Sequence, residues 1–166
     1  MQKIIFNDKY GLTQAVLEGR KTQTRRIVPV GAPLGSYAET VKYAQYKEGE
    51  IVAVAQNYKD AGCDFYFHRG LAGWNNKMFV RADLMPHRIK ITDIRVERLQ
   101  DISDEDCIKE GIRRKNERYV VENEKGVCFY TNDVRLAFRF LIDKTCGKGT
   151  WNRNPYVFVY EFELIK

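Results

Sequence analysis

The sequence predicts an α+β fold: a mostly antiparallel β-sheet curled into a small barrel, with short helices packed at its ends. Three observations carry this. Strand-like runs outnumber helical ones, with no regular strand–helix alternation, which argues against a parallel doubly wound sheet. The stretch from Tyr156 to Ile165 is a near-continuous apolar run, as the middle of a sheet requires. With 166 residues, 44% hydrophobic and 30% charged, the chain can bury a core without disulfides or metals, as a single domain spanning 1–166.

The elements follow in order. Lys3 to Phe6 reads as an opening strand. Asn7 or Asp8 then caps a helix with Leu12, Ala15 and Val16 on one face, and Gly19 takes its C′ position. Thr22 to Val30 is strand-like, and residues 31–49 form a long surface excursion. Ile51 to Val54 is a buried strand. Residues 57–78 are irregular and aromatic, Phe79 to Arg81 is a brief strand, and Pro86 breaks what precedes it.

From Arg88 to Leu99 the strand pattern is strong, but it changes parity. Ile89 and Ile91 share one parity, Ile94 and Val96 the other, which predicts a β-bulge near Thr92-Asp93. Ser103, with Asp106 three residues on, predicts a capped short helix ended by Gly111. Tyr119 to Tyr130 reads as a hairpin turning at Glu124-Lys125-Gly126. Thr131 or Asn132 caps a helix striped by Val134, Ala137, Phe138 and Leu141, and the final strand follows Pro155.

The net charge of +6 favours a polyanionic or phosphate-bearing partner. Cys63, Cys107, Cys128 and Cys146 are scattered with no C-x-x-C pair, and His68 and His87 are the only histidines. These read as free thiols; no metal site and no cofactor is predicted. The N-terminus has too few apolar residues for a signal peptide, and no run approaches a membrane span, so the expectation is a cytoplasmic protein.

The charge concentrates at one place. Gly19-Arg20-Lys21-Thr22-Gln23-Thr24-Arg25-Arg26 holds four cations, with no acid between Glu18 and Glu39. A positive cluster at a helix-to-strand junction converges donors on a phosphate or a polar base. The same pattern also suits a soluble basic edge strand. Arg25 and Arg26 alternate sides, so at most one lines the Lys21 face if that part is extended, and the other lies at the surface or pairs with an acid.

Gly19, Lys21 and Arg26, in the form Gly-x-Lys-x-x-x-x-Arg after a short helix, resemble the signature of the ASCH family, a PUA-like β-barrel. Gly49 to Val54, Val96 to Gly111 and the terminal strand are similar to its later elements, with insertions at about 57–87 and 112–130. Met85-Pro86 and the segment from Gly147 to Pro155 resemble members carried by phages and prophages. The resemblance implies binding of RNA or a modified nucleoside, with Gly19, Arg20, Lys21, Arg25 and Arg26 as ligand-binding residues. Gly-Arg-Lys-Thr-x-Thr is similar to the branch that hydrolyses the amide of acetylcytidine, which implies Lys21, Thr24 and Glu110 as catalytic residues. A non-catalytic RNA-binding module and a ribonuclease are the alternatives that the family leaves open.

Elementary chemistry bears on that trio. A threonine hydroxyl is inert until a base accepts its proton, and a buried Lys21 beside other cations would be such a base. Residues 21 and 24 differ by an odd number, so both enter one pocket only if Gly19 to Gln23 is a loop. Glu110, at the end of a helix, opposes the macrodipole and shares a face with Cys107, so an inward cation such as Lys21 would compensate it. Otherwise Glu110 is a surface acid on a frayed turn, and Lys21 a phosphate-binding lysine.

Overall fold

The computed structural model describes residues Met1–Lys166. Along the chain run β1 (Lys3–Ile4), α1 (Leu12–Leu17), β2 (Gln23–Ile27), α2 (Tyr37–Thr40), β3 (Ile51–Val54), α3 (Phe65–His68) and β4 (Arg88–Arg98). Then come α4 (Asp104–Lys109), β5 (Arg113–Lys115), β6 (Arg118–Asn123), β7 (Gly126–Thr131), α5 (Val134–Cys146), α6 (Thr150–Arg153) and β8 (Tyr156–Ile165). Five strands make one sheet in the order β1-β3-β4-β8-β2, and β5-β6-β7 make a second. Only the β1–β3 pair is parallel; every other pairing is antiparallel.

The larger sheet is open, which corrects the expected closed barrel. Its outer strands β1 and β2 do not pair. Strand β1 is two residues long, too short to present a ladder to β2. The gap is spanned instead by a side chain: Arg26 Nη2 donates to the Ile5 carbonyl at 2.7 Å.

Strand β8 is central and buried on both faces, which explains its long apolar run. Phe158, Tyr160 and Phe162 join a core with Ile4, Phe6, Val52, Ile89, Ile91 and Ile94. Val157 and Val159 join the other core, with Ile102, Cys107, Phe138 and Leu141. The parity change in β4 has the physical cause that the pattern implied. Register shifts between Ile91 and Asp93, and the extra residue returns Ile94 to the core face already occupied by Ile89 and Ile91.

The smaller sheet lays Tyr119, Val121 and Phe129 on α5, whose buried stripe is Val134, Ala137, Phe138, Leu141 and Ile142. The cap of α5 is Asp133, which accepts from the Arg135 N–H at 2.9 Å, not Thr131 or Asn132. Thr131 instead accepts from the Asp133 N–H in the turn before it. Similarly, Asn7 accepts from the Tyr10 N–H in a turn ahead of α1, and Gly11 at φ +67° begins the helix.

No strand forms at Phe79–Arg81. A 3₁₀ turn covers Lys77–Phe79, and the Lys3 ammonium takes the Met78 and Val80 carbonyls at 2.7 and 2.8 Å, which a sheet partner would otherwise use. The 57–87 stretch is a series of short turns around α3, tied down by the buried Tyr58, Val80 and Met85. No helix is long and apolar enough to cross a membrane.

Candidate functional site

The opening between β1 and β2 is a cavity of about 240 Å³, lined by Ile5, Phe6, Lys21, Thr24, Arg26 and Glu110, with Phe138 to Cys146 of α5 along one wall. Two glycines bring its sides together. Gly19 turns at φ +73°, so the chain leaves α1 and the Lys21 N–H returns to the Ala15 carbonyl at 3.0 Å. Regular strand starts only at Gln23, so Lys21 stands in a loop, which lets it share the cavity with Thr24 despite their odd spacing. Gly111, at φ +106°, ends the α4 turn directly against Lys21: a Cβ there would lie 3.6 Å from the Lys21 Cβ. Both positions require a left-handed backbone that only glycine adopts cheaply.

Glu110 faces inward and is 5% exposed. Its Oε2 accepts from Lys21 Nζ at 2.7 Å and its Oε1 from Arg25 Nη1 at 3.1 Å. Lys21, only 2% exposed, also donates to the Gln23 and Glu110 carbonyls at 2.7 and 2.9 Å. Three acceptors thus match the three N–H bonds of an ammonium. Burial nevertheless pushes the Lys21 ammonium below the ordinary lysine value of 10.5; the charge of Glu110 opposes this, and Arg26 and Arg25 add to it. The Thr24 side chain, 5% exposed, lines the same cavity and joins none of these bonds.

Arg26 lines the cavity beside the Phe6 ring, 5.9 Å from its centroid. Its Nε is buried without an acceptor. Arg25 Nε is in the same state, and a buried donor left open in this way costs roughly 1–3 kcal/mol. Arg25 also lines the cavity, beside Glu110. Its guanidinium reaches Glu97 at 2.6 Å, Asp106 at 3.1 Å and Glu110, and also meets Gln23 Oε1. Three carboxylates hold it, and through the bond to Oε1 it positions Glu110. Arg20 does not reach this cavity: it pairs with Glu18 at 2.6 Å and lines a neighbouring pocket beside Gly111 and Arg113. Gly19 contributes the turn.

Residue reasoning missed most of the network that holds Glu110. Arg95 reaches Glu161 at 2.8 Å and Asp106 at 3.0 Å, and Gln23 Nε2 reaches Glu161 at 3.0 Å. Asp106 was assigned to the helix cap, and its backbone does accept that role: its N–H meets Ser103 Oγ at 3.1 Å. A signal was present in parity. Arg95 and Glu97 alternate with Ile94 and Val96, which marks a polar face opposite an apolar one. Nearby Cys107 is an inert thiol, pushed up to about 12 by burial.

No family model matches the sequence, and no curated protein matches it. Solved structures do. The protein EF3133 of Enterococcus faecalis, described under the family-model DUF984, is similar over 99% of this chain and 77% of its own, at TM-score 0.52 and 12% identity. An ASCH domain from Lactobacillus crispatus is similar over 96% of this chain and 75% of its own, at TM-score 0.47 and 13% identity. The first likeness establishes a shared fold: mixed α and β, with two sheets and several short helices.

Proposed function

We propose that the β1–β2 cavity receives a modified nucleobase, free or within RNA, and hydrolyses the amide of an acylated cytosine. The observation that carries this reading is the buried Lys21–Glu110 pair, 2.7 Å apart, in one cavity with the Thr24 hydroxyl. At about 240 Å³ the cavity lies below the roughly 300–1,000 Å³ of drug-sized sites, which suits a base with its acyl group rather than a helix of nucleic acid.

The residues divide the chemistry between them. Thr24 Oγ1 attacks the acyl carbonyl as its proton passes to neutral Lys21 Nζ. The guanidinium of Arg26, which lines the cavity, stabilises the developing oxyanion. Collapse breaks the C–N bond, and the leaving cytosine amine takes the proton from Lys21. Water then hydrolyses the threonine ester, releasing the carboxylic acid and restoring the hydroxyl. Glu110, itself held by Arg25, fixes the amine in place.

The test uses the purified protein with acetylcytidine and with a panel of other modified nucleosides. Thr24→Val and Lys21→Met should each lower turnover by at least about a hundredfold, and together scarcely more, because they act as a unit. Unfolding curves establish that the variants fold. Turnover should also rise with pH and level off below 10.5, since burial lowers Lys21 and only the amine accepts a proton. Arg26→Met removes a neighbouring positive charge, so its rising limb should move to higher pH. A wild type inert towards every acylated base would sink the catalytic reading.

One observation favours a second reading, a non-catalytic RNA-binding module. All three N–H bonds of Lys21 are already used within the protein, as in a structural ion pair. Under that reading Lys21→Met weakens folding, and ligand affinity changes while no turnover exists to lose.

A further inference from the structure

A second concavity, about 520 Å³, lies on the opposite side of α5, lined by Phe129, Leu136, Arg139, Phe140, Asp143, Lys144 and Lys148. Its floor is aromatic: Phe129 and Phe140 stack with centroids 4.5 Å apart and planes 4° from parallel. Its rim is cationic. The side chains of Arg139, Lys144 and Lys148 are exposed. Asp143, the acid in the groove, is already engaged, accepting the Trp151 N–H at 2.9 Å.

The ordinary explanations cover part of this. Lys144 sits in the last turn of α5, where a cation complements the helix dipole, and basic helix faces are commonly just solvated. Lys144 Nζ also lies 5.4 Å from the Phe140 centroid, a cation–π contact within the groove. None of these accounts for Arg139 and Lys148 at the edge of the apolar floor. Position supplies the link. Thr145 and Cys146 line the β1–β2 cavity while Lys144 and Lys148 line the groove. The C-terminal turn of α5 therefore separates the two by about one helix diameter, roughly 10–12 Å.

We infer that this groove binds the single-stranded RNA flanking the base held in the β1–β2 cavity. Phosphates meet Arg139, Lys144 and Lys148, and an unstacked base lies against the apolar floor. Duplex RNA is disfavoured, because its base faces are not free to reach Phe140. The inference rests on the reading of the cavity as a nucleobase site. It goes beyond that reading in giving the path of the RNA around the end of α5.

The experiment measures binding of a fluorescent single-stranded RNA, without acylation, to the full chain by anisotropy across a salt series. Arg139→Glu with Lys148→Glu, both exposed and unpaired, should weaken binding at least tenfold. The slope of log K against log salt should fall by about 1.4, two contacts at roughly 0.7 each. Turnover of free acetylcytidine by this variant should match wild type. Phe140→Leu should weaken RNA binding about tenfold with the slope unchanged. Unchanged affinity in the charge-reversed protein overturns the proposal. So does an equal loss for polyglutamate, which would mark a site for acidic protein segments. Groove-dependent RNA binding by a protein inert towards acylated bases leaves the groove standing and removes only the catalytic reading.

Discussion

Two regions of this protein reverse the usual division between inside and outside. Around β2 and α4 the charged groups are buried: Lys21, Arg25 and Glu110 are each 5% exposed or less. Along residues 57–87 large apolar groups face water, with Tyr66 85% and Phe67 81% exposed. The difference lies in partners. Each buried charge meets an opposite charge and further hydrogen bonds, so its desolvation is compensated. The exposed aromatics sit on α3, a four-residue helix among short turns that offers no second layer to cover them. A charge therefore enters this interior only as a member of a network, and an aromatic ring stays outside when its segment is too short to pack.

The comparison breaks most sharply at Glu110. Glu110→Ala deprives Lys21 of its carboxylate and Arg25 of one of three, leaving buried cations undercompensated. A loss of about 3–5 kcal/mol is expected, read from urea unfolding with an unchanged m-value. A loss under about 1 kcal/mol would mean that the pair is hydrated in solution.

A middle-sized effect is expected where the exposed segment does have an anchor. A Cβ on Gly73 would come within 2.5 Å of the Tyr58 ring. That ring is 2% exposed, and its hydroxyl accepts from the Arg81 N–H at 3.1 Å. Gly73→Ala should therefore cost about 1–3 kcal/mol. Amide exchange should accelerate through residues 57–87 while the central strands β4 and β8 stay protected. Uniform acceleration would show that the segment and the sheet open together.

The smallest effect belongs to the exposed rings themselves. Tyr66→Ser and Phe67→Ser should each change stability by no more than about 0.5 kcal/mol. A larger loss at Tyr66, measured by the same unfolding experiment, would show that its edge contact with Phe65, centroids 5.7 Å apart, anchors the segment despite its exposure.

Local chemistry was legible in the sequence wherever a few neighbouring residues decide the outcome. Ser103 and Asp106 form the cap of α4, Gly19 and Gly111 turn at positive φ, and the parity change in β4 marks a true bulge. The hairpin turn and the stripe of α5 also follow from short-range spacing. Even local signals failed where several residues compete for one role: Asp133 took the cap that Thr131 and Asn132 could equally have filled. Lys3 likewise reached across 75 and more residues to occupy the carbonyls of an expected strand.

By itself, then, the sequence determined the type of most elements and placed Lys21, Thr24 and Glu110 as the residues to follow. Only the tertiary structure decided that the sheet stays open between β1 and β2, that the cavity occupies this opening, and that Arg25 meets three acids. The physical reason is range. Caps, turns and bulges are settled within a few residues of backbone. The Lys21–Glu110 contact joins positions 89 residues apart, and its existence depends on which strands pair and on how far β1 extends.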